Sequence, residues 1–135
     1  MKKVFLILLI GAVLAFAADA QARKSEQLKA WKKFQTAIAK NDKAAVAAML
    51  KYPFEGSILN SGINYTLSSK ADFIKNYPGI FTASRRQIIA RAKYEPIPDE
   101  DEFNVEMNDE KSGMHVFRFR KIGAAYFLVG TIGVG

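Results

Sequence analysis

The most regular pattern in the chain is a stripe of large apolar residues at helical spacing, with lysines between them. The stripe consists of Leu28, Trp31, Phe34 and Ile38. At about 100° per residue these side chains share one face of a helix. The pattern predicts an amphipathic helix with Ser25 as its N-cap and its end at Asn41.

Three shorter helices are predicted after the first. One covers roughly residues 43–51, with Asp42 as its N-cap, and a second follows Ser69 and is broken by Pro78. Residues 82–94 fit a helix or a strand, and a short helix is favoured. The residues expected to face the core are Val46, Met49 and Leu50 in the helix after Asp42, and Ala71 and Ile74, with Phe73 and Tyr77 beside them, in the helix after Ser69.

Alternating apolar and polar residues predict strands elsewhere. These segments are residues 54–58, 63–67, 103–107, 115–119 and 125–134. A turn at residues 60–62 makes the first two a hairpin. The last segment is almost wholly apolar, which indicates a strand that is central or covered on both faces. The order of elements predicts an α+β domain, with N-terminal helices packed on the concave face of a curved, mainly antiparallel sheet.

The beginning of the chain has the pattern of a secretory signal peptide. Two lysines precede an uncharged apolar run of 15 residues, from 4 to 18, and the small-x-small sequence Ala20-Gln21-Ala22 follows it. The run is shorter than the roughly 17–25 residues that a membrane-spanning helix needs. We therefore expect residues 1–22 to be a signal peptide, cleaved after Ala22 or alternatively after Ala20. The remaining single domain, residues 23–135, is expected in the periplasm or outside the cell.

Charge is unevenly distributed along the chain. The whole chain carries a net charge of +7, and residues 23–135 hold 18 basic and 12 acidic side chains. Residues 23–93 hold 14 basic and 4 acidic side chains, whereas residues 94–135 hold 4 basic and 8 acidic ones. A basic half can attract an anionic polymer or lipid head groups, although a solvated lysine face explains it as well. Nucleic acid is not an expected partner of an exported chain.

The chain has no cysteine and a single histidine. The expected domain is therefore held by its core rather than by disulfides, and it has no cysteine for lipid attachment. No stable membrane anchor is expected. One histidine without cysteine cannot build a transition-metal site from nitrogen and sulfur ligands. The acidic run at residues 99–102 lacks the spaced oxygen ligands of a calcium loop. We expect neither a metal nor a cofactor.

Several motifs between residues 26 and 82 resemble the nuclear transport factor 2-like superfamily, in particular its small exported bacterial members. They are Phe34-x-x-Ala37-Ile38-x-x-Asn41-Asp42, Tyr52-Pro53-Phe54 and Lys70-Ala71-Asp72-Phe73-Ile74-x-x-Tyr77 followed by Ile80-Phe81. The resemblance implies a cystatin-like α+β cone with a pocket open at one end. It also implies that the sheet face can serve a homodimer or another protein partner. Members include ketosteroid-isomerase-like enzymes, ligand-binding modules and interaction domains, so the resemblance implies architecture rather than activity.

Four residues are weak candidates for catalysis, and none is assigned as catalytic. His115 shares a strand face with Phe117, so it can point into the cone and act as a general base near neutral pH. Asp72 with Tyr65 or Tyr77 would match the isomerase-like pairing of a carboxylate base with a phenol that stabilises an oxyanion. A strand-end histidine, a helix-start aspartate and core tyrosines explain the same residues without catalysis.

The residues expected to line the pocket of the cone are Trp31, Phe34, Tyr65, His115 and Phe117. The leading hypothesis is an exported, non-catalytic binding or interaction module, whose ligand is a small apolar molecule or a protein. One alternative is a small isomerase-like or hydrolase-like enzyme with Asp72 or His115 as base. Another is an envelope protein whose basic N-terminal half binds an anionic polymer or a protein.

Overall fold

The computed structural model describes residues 2–58, 63–93, 101–109 and 113–134. Its helices are α1 (Lys2–Ala39), α2 (Lys43–Ala48), α3 (Lys70–Ile80) and α4 (Ala83–Arg91). Its strands are β1 (Leu50–Ile58), β2 (Ile63–Leu67), β3 (Glu102–Asp109), β4 (Gly113–Ile122) and β5 (Ala125–Val134). The predicted turn at 60–62 and the start of the acidic run, residues 99–100, lie outside the described residues.

The first helix begins earlier than the sequence pattern predicted. Ser25 lies inside α1 rather than at its N-cap, because residues 12–39 contain no glycine or proline that would end the helix. The predicted apolar stripe is confirmed for Trp31, Phe34 and Ile38, which are fully buried, whereas Leu28 is 37% exposed. Among the described residues, no helix combines the length and the hydrophobicity that a membrane crossing requires.

The second helix is shorter than predicted. Asp42 is its N-cap, as expected, and accepts a hydrogen bond from the backbone N–H of Ala45. The helix ends at Ala48 rather than near residue 51, because Leu50 enters β1 opposite Leu128. Leu50 is buried as predicted, but from a strand.

The described strands form one mixed, mainly antiparallel sheet in the order β2-β1-β5-β4-β3. The β1–β2 hairpin and the β3–β4–β5 meander are antiparallel, while β1 and β5 run parallel. The apolar strand β5 is therefore the central strand, which confirms its predicted place. The β1–β5 pairing is irregular between Leu50 and Glu55, and the cis peptide bond Tyr52–Pro53 lies within that interval.

The third helix continues through Pro78 to Ile80, so the predicted break at Pro78 is wrong. Pro78 has no backbone N–H, so the carbonyl oxygen of Ile74 lacks its helical donor, yet the helix continues for two more residues to Ile80, which is buried. The predicted core face was also partly wrong. Phe73 and Tyr77 are buried, whereas Ile74 is 41% exposed and Ala71 is exposed. The preference for a helix after Thr82 is confirmed by α4, with Thr82 as its N-cap.

The core lies between the helices and one face of the sheet, and it is rich in aromatic residues. Trp31 and Phe34 of α1 stack on each other with ring centroids 5.7 Å apart. Both pack against Phe117 and Phe119 of β4, at centroid distances between 5.5 and 6.4 Å. Aromatic contacts of this kind add to the burial of apolar area. They fix α1 across the concave face of the sheet.

Candidate functional site

A cleft opens where α3 and α4 meet the end of the sheet. Its apolar lining consists of Ile80, Phe81, Ile88, Ile89, Met107 and Phe117, and its polar lining of Ser57, Tyr65, Arg85, His115 and Thr131. It contains about 440 Å³ of empty space counted to its open mouth. Only about 30 Å³ of that space admits the centre of a water-sized sphere, so the cleft is narrow.

The floor of the cleft is a row of residues in register across the sheet. Tyr65 of β2 lies opposite Gly56 of β1, which pairs with Thr131 of β5. Thr131 in turn lies opposite Phe117 of β4. The Tyr65 and Thr131 hydroxyls share a hydrogen bond of 3.5 Å. Because Gly56 has no side chain, these two hydroxyls can meet above it, and they form the polar end of the floor.

Arg85 on α4 contributes the positive charge of the cleft. Its Nη1 donates hydrogen bonds to the carbonyl oxygens of Gly79 and Ile80, both at 3.0 Å. These contacts satisfy carbonyls at the end of α3 and hold the guanidinium beside the cleft. Thr82 accepts a hydrogen bond from the Arg85 backbone N–H and so fixes the start of α4. The described residues that line the cleft include no carboxylate.

Electrostatics in the cleft favour a protonated phenol. Burial raises the pKa of the Tyr65 hydroxyl above its ordinary value of 10.0. The hydrogen bond with Thr131 and the positive charge of Arg85 oppose this rise without cancelling it. Tyr65 therefore remains a neutral hydrogen-bond donor and acceptor across the physiological pH range.

His115 lies one residue pair beyond Phe117 along β4. It is opposite Gly133 on one side and Met107 on the other, and it is partly buried. Its place among the cleft residues puts it on the same side of the sheet as Phe117, as its alternation in the sequence indicated. Of the five residues expected to line a pocket, the structure thus brings Tyr65, His115 and Phe117 together.

Trp31 and Phe34 have a different position. Their exposed fractions are 1% and 0%, and they are packed inside the core rather than along the cleft. The Trp31 indole N–H is buried without a hydrogen-bond partner among the described residues. These two residues contact Phe117, which lines the cleft, and so they lie in the layer of the core behind it.

Asp72 and Tyr77 lie on α3, outside the cleft. Asp72 Oδ2 accepts a hydrogen bond from the Ser68 backbone N–H, and the Asp72 N–H donates to the Ser69 hydroxyl. These are the contacts of a residue that begins a helix. Tyr77 is buried, and its hydroxyl has no hydrogen-bond partner among the described residues. Burial raises its pKa, with Arg86 opposing and Asp42 assisting the rise.

Arg85 and Thr131 were not among the site residues expected from the sequence. Both had a signal in the sequence. Arg85 falls on the same predicted helix face as Ile88, and Thr131 is a polar residue in the middle of an apolar strand. Met107 was predicted to alternate with polar neighbours but was not connected with the pocket. Among the described residues, no group of His, Asp and Glu is arranged to hold a metal ion.

The outer face of the sheet carries charge that is partly neutralised. Arg118 and Arg120 both form ion pairs with Glu102, and all three side chains are between 41% and 49% exposed. Lys121 instead pairs with Glu26 of α1 at 3.0 Å. A wider, more open depression of about 980 Å³ runs beside β1 and β5, with Glu55 and Arg118 among its lining residues. Its opposite charges and openness make it a weaker candidate for a ligand.

Comparison with solved structures shows the fold. A nuclear transport factor 2-like protein with a cystatin-like fold from Novosphingobium aromaticivorans aligns with a TM-score of 0.52 and 14% identity, covering 88% of this chain and 85% of that chain. A nuclear transport factor 2-like protein of unknown function from Shewanella oneidensis MR-1 aligns with a TM-score of 0.52 and 10% identity, covering 81% and 96%. A ketosteroid isomerase-like protein from Erwinia carotovora atroseptica gives a TM-score of 0.52 and 13% identity, covering 82% and 95%.

The chain therefore has the nuclear transport factor 2-like α+β fold, as its motifs led us to expect. No protein-family model and no curated protein matches the sequence. Identities of 10–14% in these structures establish the fold and carry no activity with them.

Proposed function

We propose that this protein is an exported, non-catalytic binding module that holds a small apolar ligand in the cleft between α3, α4 and the sheet. The observation that carries the proposal is the composition of the cleft. Six apolar side chains line it, and a few polar groups are gathered near Tyr65 and Thr131. Ligand sites combine these features: apolar walls give affinity, and a few placed polar groups give orientation.

The width of the cleft limits the shape of the ligand. A cavity needs roughly 10–15 Å³ of space for sphere centres to hold one water molecule. The roughly 30 Å³ in this cleft, room for about two or three water molecules, suits the width of a single alkyl chain better than that of a fused ring system. This argues against a steroid-sized ligand and favours an unbranched apolar chain.

Export is part of the proposal, and the position along α1 at which buried side chains begin is consistent with it. The described side chains from Ala18 to Glu26 are exposed, and the described core begins at Gln27. Cleavage after Ala22 would thus remove no described core residue. The support for export itself is the basic, apolar and small-residue pattern of residues 1–22.

One observation favours the enzymatic alternative. His115 and Tyr65 line the same cleft, so an imidazole base and a neutral phenol donor could act on one bound molecule. Asp72 does not share this position, because its carboxylate is engaged at the start of α3. In the enzymatic alternative, His115 rather than Asp72 would be the base.

Native mass spectrometry of the protein, recovered from the periplasmic fraction of a bacterial host expressing the whole chain, tests the proposal. We expect the mass of residues 23–135, or of 21–135, together with a fraction that retains a small apolar adduct. Titration of the same material with octanol should show saturable binding. Recovery of the uncleaved chain from the cytoplasm would overturn export, and absence of saturable binding of both octanol and octanoate would overturn the cleft as a ligand site.

A further inference from the structure

We propose that the cleft selects a single-chain amphiphile with a carboxylate head group, which Arg85 binds while the alkyl chain lies along the apolar wall. The inference rests on the proposed binding function and adds the chemical class of the ligand to it. It follows from the charge of the cleft, the remaining hydrogen-bond capacity of Arg85 and the narrowness of the apolar part.

Arg85 retains donors that the fold does not use. A guanidinium carries five N–H donors, and the side-chain hydrogen bonds that Arg85 makes to described residues engage Nη1 alone, with the carbonyls of Gly79 and Ile80. Among the described residues, no carboxylate forms an ion pair with Arg85. A planar carboxylate is the natural partner of the unused donors, since it can accept two parallel hydrogen bonds from one guanidinium.

The polar end of the cleft supplies further donors for the same head group. The hydroxyls of Tyr65 and Thr131 lie 3.5 Å apart, and the charge of Arg85 is close enough to influence the ionisation of Tyr65. No acidic side chain lies among the described lining residues to repel an anion. A carboxylate placed here gains a cation and a hydroxyl donor, whereas an ammonium head group would be repelled by the same cation.

The neighbouring residue Arg86 provides a control for a purely structural role of Arg85. Arg86 also lies on α4 and also donates from Nη1 to a carbonyl at the end of α3, that of Phe81, at 2.8 Å. Arg86 does not line the cleft. The two residues share the contact with the end of α3 and differ in access to the cleft, so they separate support of the fold from binding of a head group.

Isothermal titration calorimetry with octanoate and with octanol tests the inference on the protein purified from a host that expresses the whole chain. We expect octanoate to bind at least about tenfold more tightly than octanol, as charge-assisted hydrogen bonds provide. Arg85→Gln should remove this preference by weakening octanoate alone, and Arg86→Gln should retain it. Arg85→Lys keeps the positive charge but cannot donate two parallel hydrogen bonds to one carboxylate. It should therefore show an intermediate preference for octanoate over octanol.

Each outcome separates the inference from the function on which it rests. Equal affinity for octanoate and octanol in the unaltered protein would overturn the carboxylate preference while leaving the binding cleft in place. Equal loss of preference in Arg85→Gln and Arg86→Gln would also overturn it, because general surface charge would then be the cause. Failure of both ligands to bind would overturn the proposed function itself. The comparison in the unaltered protein remains decisive even where Arg85→Gln does not fold.

Discussion

Gly56 and Tyr65 face each other across the β1–β2 hairpin, and the Tyr65 hydroxyl occupies the space that a side chain at residue 56 would need. A Cβ atom at Gly56 would lie 2.7 Å from the Tyr65 hydroxyl oxygen and 2.5 Å from Thr131 Oγ1. Both distances are shorter than the closest approach that a Cβ atom makes to a nonbonded oxygen. The absence of a side chain at Gly56 therefore permits the pair of hydroxyls that forms the polar end of the cleft.

Replacing Gly56 with alanine should destabilise the protein. Because Tyr65 and Thr131 must move to admit a methyl group, we expect the free energy of unfolding to fall by about 1–3 kcal/mol. Octanol affinity should fall as well, since the floor of the cleft is displaced. Denaturant unfolding and calorimetry measure the two effects. Gly79→Ala is the control, because a Cβ there meets nothing within 4 Å. Equal unfolding free energies in both variants would contradict the role assigned to Gly56.

Gln35 connects α1 to the end of α4. Its Nε2 donates to the carbonyl oxygens of Ile89 and Ala92, both at 2.9 Å. Gln35→Ala would leave two helix-end carbonyls without this donor, so we expect a loss of about 1–2 kcal/mol in unfolding free energy. Backbone amide hydrogen exchange in α4 should become faster. Thr36→Ala, which removes a hydroxyl that donates to the Lys32 carbonyl of the same helix, should leave α4 unchanged. Unaltered exchange in the Gln35 variant would refute the connection.

Asp72 should matter for stability and not for the cleft. Asp72→Ala removes an acceptor at the start of α3, which we expect to cost about 0.5–1 kcal/mol in unfolding free energy. Octanol affinity should change by less than about twofold. Asp42→Ala, which removes the N-cap acceptor of α2, should likewise lower stability without changing octanol affinity. A large loss of octanol binding in the Asp72 variant alone would contradict this, because Asp72 would then contribute to the cleft.

Stability should decrease in strong alkali because of Tyr52. Burial raises the pKa of Tyr52 from 10.0 to about 12. Between these values the folded protein keeps a proton that the unfolded chain releases, so its contribution to stability is complete below pH 10 and is lost as pH rises toward 12. Unfolding measured from pH 9 to 12 should show this decline, with a shallower slope in Tyr52→Phe. Identical slopes in the two proteins would contradict it.

The sequence predicted elements best where one local signal was enough. Asp42 and Ser69 cap their helices as predicted, because capping depends on a side chain and the next three residues. Leu50 and Pro78 were misplaced for a different reason. The parallel pairing of Leu50 with Leu128 joins residues far apart in sequence, and the burial of Ile80 keeps α3 helical past Pro78. Such tertiary contacts override local propensity.

The cleft was only partly predictable for the same reason. Alternation along β4 indicated the face of His115 and Phe117, since a strand has a fixed period. The meeting of Tyr65 with Thr131 depends on the order β2-β1-β5, which the pattern of residues did not define. Trp31 and Phe34 are aromatic residues of the types that often line pockets, but the packing of α1 on β4 buries them in the core.

Mapping the binding of octanol by backbone amide and arginine Nε–H chemical shifts tests the central claim most directly. The account predicts saturable shifts that cluster at the cleft, on residues such as Thr131, Phe117 and Ile88, with little change at the side-chain Nε–H groups of Arg118 and Arg120 on the outer face. Shifts that fail to saturate, or that gather on the outer face of the sheet, would contradict a ligand-binding cleft between α3, α4 and the sheet.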